Sequence, residues 1–143
     1  MARPVYLDYH ATTPVDSKVL DAMLPYFTQQ FGNAASKQHA FGWEAQEAVE
    51  RARRQVATLL NASANEIVFT SGASESNNLA IKGVACALHD RGRHVITVST
   101  EHKSVLDSCS RLERDGWTVS RLPVVGDGFI DLDALRQALT HGT

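Results

Sequence analysis

The chain has 143 residues, with 14 Lys plus Arg against 16 Asp plus Glu and a formal charge of -2, a balance with no broad basic footprint, so neither nucleic acid nor an anionic membrane is an expected partner. With 43% hydrophobic and 21% charged residues, 9 Gly and 4 Pro, the composition is that of a globular domain rather than a disordered or collagen-like chain. Cys86 and Cys109 stand in no CxxC or zinc spacing, no stretch approaches a membrane span, and the N-terminus lacks a signal-peptide core, so a cytoplasmic setting is expected.

Val5-Tyr6-Leu7-Asp8-Tyr9 is a short β-leaning run that breaks at His10-Ala11-Thr12-Thr13-Pro14 and reads as an arm. Asp16 or Ser17 caps a helix with Val19, Leu20, Met23, Leu24 and Phe27 at helical spacing, which Pro25 should bend or shorten and Gly32 should close. After the loop Gly32-Asn33-Ala34-Ala35-Ser36, a long helix follows, its face traced by Ala45, Ala48, Val49, Ala52, Val56, Leu59 and Leu60. Glu47 with Arg51 and Glu50 with Arg54 are spaced for i,i+4 ion pairs on its solvated side.

From residue 66 the pattern alternates. Ile67-Val68-Phe69-Thr70 reads as a first strand, followed by a helix carrying Leu79, Ala80, Ile81, Val84, Ala85 and Leu88 that Gly92 should stop. Val95-Ile96-Thr97-Val98 reads as a second strand, and Val105, Leu106, Cys109 and Leu112 mark the next helix. Asp115-Gly116 turns the chain into a third strand at Trp117-Thr118-Val119, and Asp131 caps a last helix through Leu132, Leu135 and Leu139. This order predicts an α/β fold with a parallel sheet and right-handed crossovers. So thin a sheet leaves an apolar edge open, and the chain is expected to be a piece of a larger protein that associates rather than standing as a monomer.

In an open parallel sheet, ligands bind outside the carboxyl ends of the strands. The turn after the first predicted strand is Thr70-Ser71-Gly72-Ala73-Ser74-Glu75-Ser76-Asn77. Gly72 permits close approach to the backbone, the N–H groups of Ala73, Ser74 and Glu75 can meet an anion, and the hydroxyls of Ser71, Ser74 and Ser76 can donate to phosphate oxygens. An ordinary N-cap at Ser74 accounts for the same residues, and the stretch is neither GxGxxG nor a Walker loop. One βαβ unit later, His102 can lie flat on an aromatic ligand or be a surface histidine at a helix start. Lys103 and Lys82 lack any buried setting that would fit them for covalent amine catalysis. The other histidines, His10, His39, His89, His94 and His141, show no metal spacing, and Cys109 lies on an apolar stripe where a thiolate is disfavoured.

Four blocks stand in order: Tyr6-Leu7-Asp8-Tyr9-His10-Ala11-Thr12-Thr13-Pro14, Phe31-Gly32-Asn33-Ala34-Ala35-Ser36 with His39 and Gly42, Phe69 through Ala80, and Thr100-Glu101-His102-Lys103-Ser104-Val105-Leu106. Together they resemble the N-terminal part of pyridoxal-phosphate-dependent cysteine desulfurases. The resemblance implies a fold-type-I transferase, a mostly parallel sheet with flanking helices, in which residues 1–15 are an arm toward a small domain and 16–143 an incomplete large cofactor domain. It implies pyridoxal 5'-phosphate as cofactor, with its phosphate at Ala73 and Ser74 and its ring against His102. The implied reaction converts L-cysteine to L-alanine with an enzyme-bound persulfide, supplying iron-sulfur clusters or tRNA thiolation through a sulfur-acceptor or scaffold protein. The implied assembly is a homodimer that includes the remainder of the enzyme, in the same or a second chain. The family's cofactor-binding lysine, its aspartate at the pyridine nitrogen and its persulfide cysteine find no match here, so no catalytic residue is assigned, and Lys103 belongs to the histidine block. Ser74 stands where many members have threonine, and Ala34 where proline usually follows Gly-Asn, which loosens that loop. The rival expectations are a noncatalytic binding or assembly module that keeps the cradle, and a related enzyme such as selenocysteine lyase.

Overall fold

The computed structural model describes residues 4–143, so Met1-Ala2-Arg3 of the predicted arm lie outside the described residues. Asp16 starts helix α1 (Ser17–Thr28) by accepting the Lys18 amide at 2.8 Å, which satisfies one of the donors that every helix start leaves open. Pro25 does not break α1. Its carbonyl takes the amides of both Gln29 and Gln30, and the helix closes there, before Gly32. None of its residues is buried, so the stripe of Val19, Leu20, Met23, Leu24 and Phe27 is left uncovered.

Helix α2 (Ala40–Leu60) is capped by His39, whose Nδ1 accepts the Gly42 amide at 3.2 Å, and it ends at Asn61 with φ 53°, a left-handed position that asparagine tolerates. Gly42 lies against the Ser36 carbonyl so closely that a side chain would collide with it. Of the predicted face, Ala45 is buried, while Leu59 and Leu60 are exposed. The expected i,i+4 ladder is replaced: Glu50 pairs with Arg53 at 3.2 Å, and Arg51 donates to the Tyr26 hydroxyl at 2.9 Å. Arg53 also donates to the Ile67 carbonyl, and a half-buried backbone acceptor outweighs a solvated surface ion pair.

A short 3-10 turn, Ala64–Glu66, is fixed by the Glu66 carboxylate, which accepts the Ser63 amide at 2.7 Å. The predicted first strand then fails to form: among the described residues, 67–70 belong to no sheet. A β-leaning run becomes a strand only when a neighbour completes its ladder, and here the ladder is made between the two later segments. Residues up to Val68 group into one compact unit and Phe69–Thr143 into another.

The second unit contains α3 (Ala73–Ala87), β1 (His94–Val98), α4 (Lys103–Arg114), β2 (Thr118–Leu122) and α5 (Leu132–Ala138). β1 and β2 are parallel, in register from His94 opposite Thr118 to Val98 opposite Leu122, with α4 as the crossover packed on both strands. The expected α/β class and parallel pairing therefore stand, with two strands rather than three among the described residues. β2 runs on to Leu122, and an isolated antiparallel bridge joins Val124 to Ile130. Asp131 caps α5 by accepting the amides of Asp133 and Ala134 at 2.8 and 3.3 Å. α3 closes at Leu88 instead of reaching Gly92. Gly92 has another duty: it lies against the Gly142 backbone with no room for a Cβ, beside a bond from the His94 amide to the Gly142 carbonyl at 2.9 Å.

The core of this unit gathers Cys109, Leu112, Leu122, Ala85 and Thr97. Cys109 and Leu112 take the inward positions that the helical stripe predicts, but Ser104 and Ser108 are buried with them. The Ser108 hydroxyl donates to the Ser104 carbonyl at 2.8 Å, so its burial leaves no unsatisfied donor.

Candidate functional site

β1 ends at Val98, and the Ser99 amide donates to the Leu122 carbonyl at 2.8 Å, holding the two strand ends level. Past Thr100 and Glu101 the chain reaches His102 and opens α4, which packs on α3. The carboxyl edge of the sheet is thus flanked by the start of α4.

α3 starts without a side-chain cap. Its N-cap is Gly72 at φ 156°, with open space where a Cβ would stand, a conformation that glycine adopts and other residues rarely do. Ser74 is therefore not the N-cap; it sits in the first turn, and the capping explanation of that residue falls. The first bond of the helix runs from the Ser76 amide to the Gly72 carbonyl at 3.1 Å, leaving the amides of Ala73, Ser74 and Glu75 unpaired among the described residues. Of the three hydroxyls that the sequence offers, Ser71's donates to the Glu75 carboxylate at 2.7 Å and Ser76's is paired with Thr70's at 2.6 Å. Ser74's has no partner among the described residues. Glu75 is folded back onto Ser71, whose amide also donates to it at 2.7 Å, and these bonds, the hydroxyl's first, hold its pKa below the usual glutamate value.

His102 caps α4. Its Nδ1 accepts the Ser104 amide at 3.1 Å and lies 2.8 Å from the Ser104 hydroxyl, while the ring itself is exposed. Asn77 on α3 donates from Nδ2 to that same hydroxyl at 2.8 Å, which ties the helix with the open amides to the histidine. Both predicted features thus belong to one hydrogen-bonded assembly. Asn77 and Ser104, which join them, escaped the sequence reading. The available signal was a serine two places after a histidine at a helix start.

The lysines stay outside it. Lys103 is exposed and paired with Asp107 at 2.7 Å, and Lys82 donates to Asn78, so neither has the desolvated setting that an amine nucleophile needs. Burial pushes the Cys109 thiol up in pKa, against a smaller opposing pull from Arg121, while Cys86 is exposed. No group of three His, Cys, Asp or Glu able to hold a metal occurs among the described residues, nor is any described helix long and apolar enough to cross a membrane. A separate cavity of about 640 Å³ lies by the amino end of β1, lined by Val84, Leu88, His94, Trp117 and His141, at the opposite end of the strands.

An α/β unit with an open helix N-terminus linked to an exposed aromatic ring has the parts to hold a planar ligand that carries an anionic group. The aminotransferase class-V family model matches residues 5–143, and the chain belongs to that family. It is similar to a cysteine desulfurase IscS of Anaeromyxobacter sp. (strain Fw109-5), 60% identical over 143 residues that make up 100% of this chain and 35% of that protein. Among solved structures, it resembles a NifS-like protein with TM-score 0.88 and 40% identity, covering 97% of this chain and 38% of that one. It also resembles SspA in complex with cysteine, with TM-score 0.84 and 42% identity, covering 96% of this chain and 40% of that one. The chain spans about a third of the length of the curated relatives it matches.

Proposed function

We propose that this chain supplies the cofactor cradle of a cysteine desulfurase, holding pyridoxal 5'-phosphate between the start of α3 and His102. The residues fit the group. Gly72 leaves open space at the helix start, and among the described residues the amides of Ala73, Ser74 and Glu75 have no acceptor and the Ser74 hydroxyl has no partner. The Glu75 carboxylate is engaged by the amide and hydroxyl of Ser71. The observation that carries the reading is the uncapped start of α3, where backbone donors and the helix dipole favour a phosphate dianion.

When bound, the cofactor is the electron sink for the amino-acid substrate. The chain's own part is to bind and orient. Ala73 and Ser74 take the phosphate, and the exposed face of His102, held by its edge in the cap, covers the ring. L-cysteine as substrate is supported by the relatives' naming and by the SspA complex with cysteine. Conversion to L-alanine, the persulfide and delivery to a sulfur acceptor or scaffold protein are carried by residues that have no match here. Residues 1–15 as an arm, 16–143 as part of the large domain, a homodimer and a cytoplasmic setting belong to the same proposal. The uncovered stripe of α1 supports association, as an apolar face of that kind does.

The test is a titration of the labelled full chain with pyridoxal 5'-phosphate, followed through its amide resonances. The largest shifts are expected at Gly72, Ala73 and Ser74, and inorganic phosphate should compete for them. Shifts confined to the cavity beside His94 and His141, with the start of α3 silent, would sink the reading.

A further inference from the structure

We propose that Asn77 and Ser104 are positioning residues for His102, acting through a chain of hydrogen bonds whose direction is fixed from one end. The functional use of that chain rests on the cofactor reading above. Its direction rests on geometry alone.

A backbone amide can only donate. The Ser104 amide meets Nδ1 of His102 at 3.1 Å, so Nδ1 carries the lone pair and the ring proton sits on Nε2. The Ser104 hydroxyl is 2.8 Å from the same nitrogen. An unprotonated nitrogen can only accept, so the hydroxyl donates to it. With its hydrogen committed, the Ser104 oxygen faces Asn77 as an acceptor. The Asn77 amide, which could be turned either way, must therefore present its NH2 group, and Nδ2 is the atom found there at 2.8 Å. Each link follows from the one before it.

The links are anchored as well as ordered. Ser104 is buried, and its carbonyl receives the Ser108 hydroxyl from one turn along α4 at 2.8 Å. Asn77 lies one turn into α3 from Ala73, so the helix that offers the open amides also keeps the Ser104 hydroxyl hydrogen on the ring, adding to the amide in holding its angle and tautomer. Outer hydrogen bonds of this kind orient a histidine and select its tautomer in metal sites, and the same physics applies to a ring that must lie flat on a ligand.

Nitrogen resonances of the histidines in the full chain, without cofactor, read the tautomer directly. Wild type should hold His102 with its proton on Nε2. Asn77→Asp keeps the shape but places an acceptor where a donor stood. It captures the hydroxyl hydrogen and the serine oxygen turns a lone pair toward Nδ1, so the shorter of the two donors sharing that nitrogen is lost, only the amide at 3.1 Å still opposes a proton there, and the small Nδ1-protonated fraction should rise several-fold. Asn77→Ala merely releases the hydroxyl and should give a smaller rise, a distinction that a purely structural role would not produce. Proton on Nδ1 in wild type, or an unmoved ratio in folded Asn77→Asp, overturns the proposal. Should that variant not fold, Ser104→Ala must raise the Nδ1-protonated fraction and Ser104→Thr must keep the wild-type ratio; equal ratios in the two overturn it. A tautomer shift in a chain that does not bind pyridoxal 5'-phosphate would retain the hydrogen-bond chain and remove the cofactor reading, and intact binding with an unmoved tautomer would do the reverse.

Discussion

The turns that open α3 and α4 meet the same problem, amides without partners at a helix start, in opposite ways. At α4 the ring of His102 accepts the Ser104 amide. At α3 no side chain serves, and Gly72 leaves the space empty. Helices α1, α2 and α5 follow the first solution, with Asp16, His39 and Asp131 as acceptors. Among the described α-helices, α3 is the one that opens without a side-chain acceptor. The cap uses the edge of the imidazole, which leaves its face available for the stacking proposed above.

Substitutions at four positions bear on that contrast. Gly72→Val should have the largest effect, since a β-branched residue at φ 156° is strained by roughly 1–3 kcal/mol; a lowered melting temperature and loss of cofactor binding are expected, and wild-type values for both would collapse the comparison. His102→Ala should lower the stability of the ligand-free chain by about 1 kcal/mol in urea titration, the usual worth of an N-cap, with His102→Asn recovering most of it. No change in His102→Ala would mean that the ring does not serve as the cap. Ser74→Ala should behave in the opposite sense, leaving ligand-free stability intact while weakening the cofactor's phosphate by about 1 kcal/mol, roughly fivefold in affinity. A drop in ligand-free stability there would put Ser74 back among the capping residues.

The smallest effect is at Glu75. Its folded pKa lies below the unfolded one because Ser71 donates to it through both hydroxyl and amide, so its contribution is present above the unfolded carboxylate pKa and is lost as pH falls through the folded value. Glu75→Gln should flatten part of the acid limb of the stability profile. Part will remain, since Glu113 is held low in the same way by hydrogen bonds from Arg121. An acid limb of unchanged slope would show that the Ser71 bonds do not persist in solution.

What was legible in the sequence was local. Asp16 and Asp131 announce their helices because a cap acts over two or three residues, and Cys109 and Leu112 follow from helical periodicity. The Gly72-Ala73-Ser74 turn is readable for the same reason. Pairing across the chain was not. The run 67–70 has the composition of a strand, but its ladder depends on a partner that no spacing names. Arg54 was expected to pair with Glu50, whereas Arg53 does, drawn by the Ile67 carbonyl 14 positions away. The link from Asn77 to Ser104 spans 27 positions, and nothing in either residue's neighbourhood points to the other.

The meeting of Gly92 with Gly142 has a consequence for the order in which the second unit assembles. It is secured by the His94 amide on the Gly142 carbonyl and by the His94 ring against the Thr143 hydroxyl, 2.7 Å apart across 49 positions. Closing so long a loop costs more chain entropy than closing the β1–α4–β2 crossover nested inside it. The crossover should therefore form first, and residues 140–143 should fasten last and open first. Native-state hydrogen exchange would then release the His94 amide ahead of the Ser99 and Thr118 amides, whose bonds at 2.8 and 2.9 Å lie inside the crossover. Protection of His94 equal to theirs would instead make the glycine clasp part of the same cooperative unit, unfolding only when the sheet does.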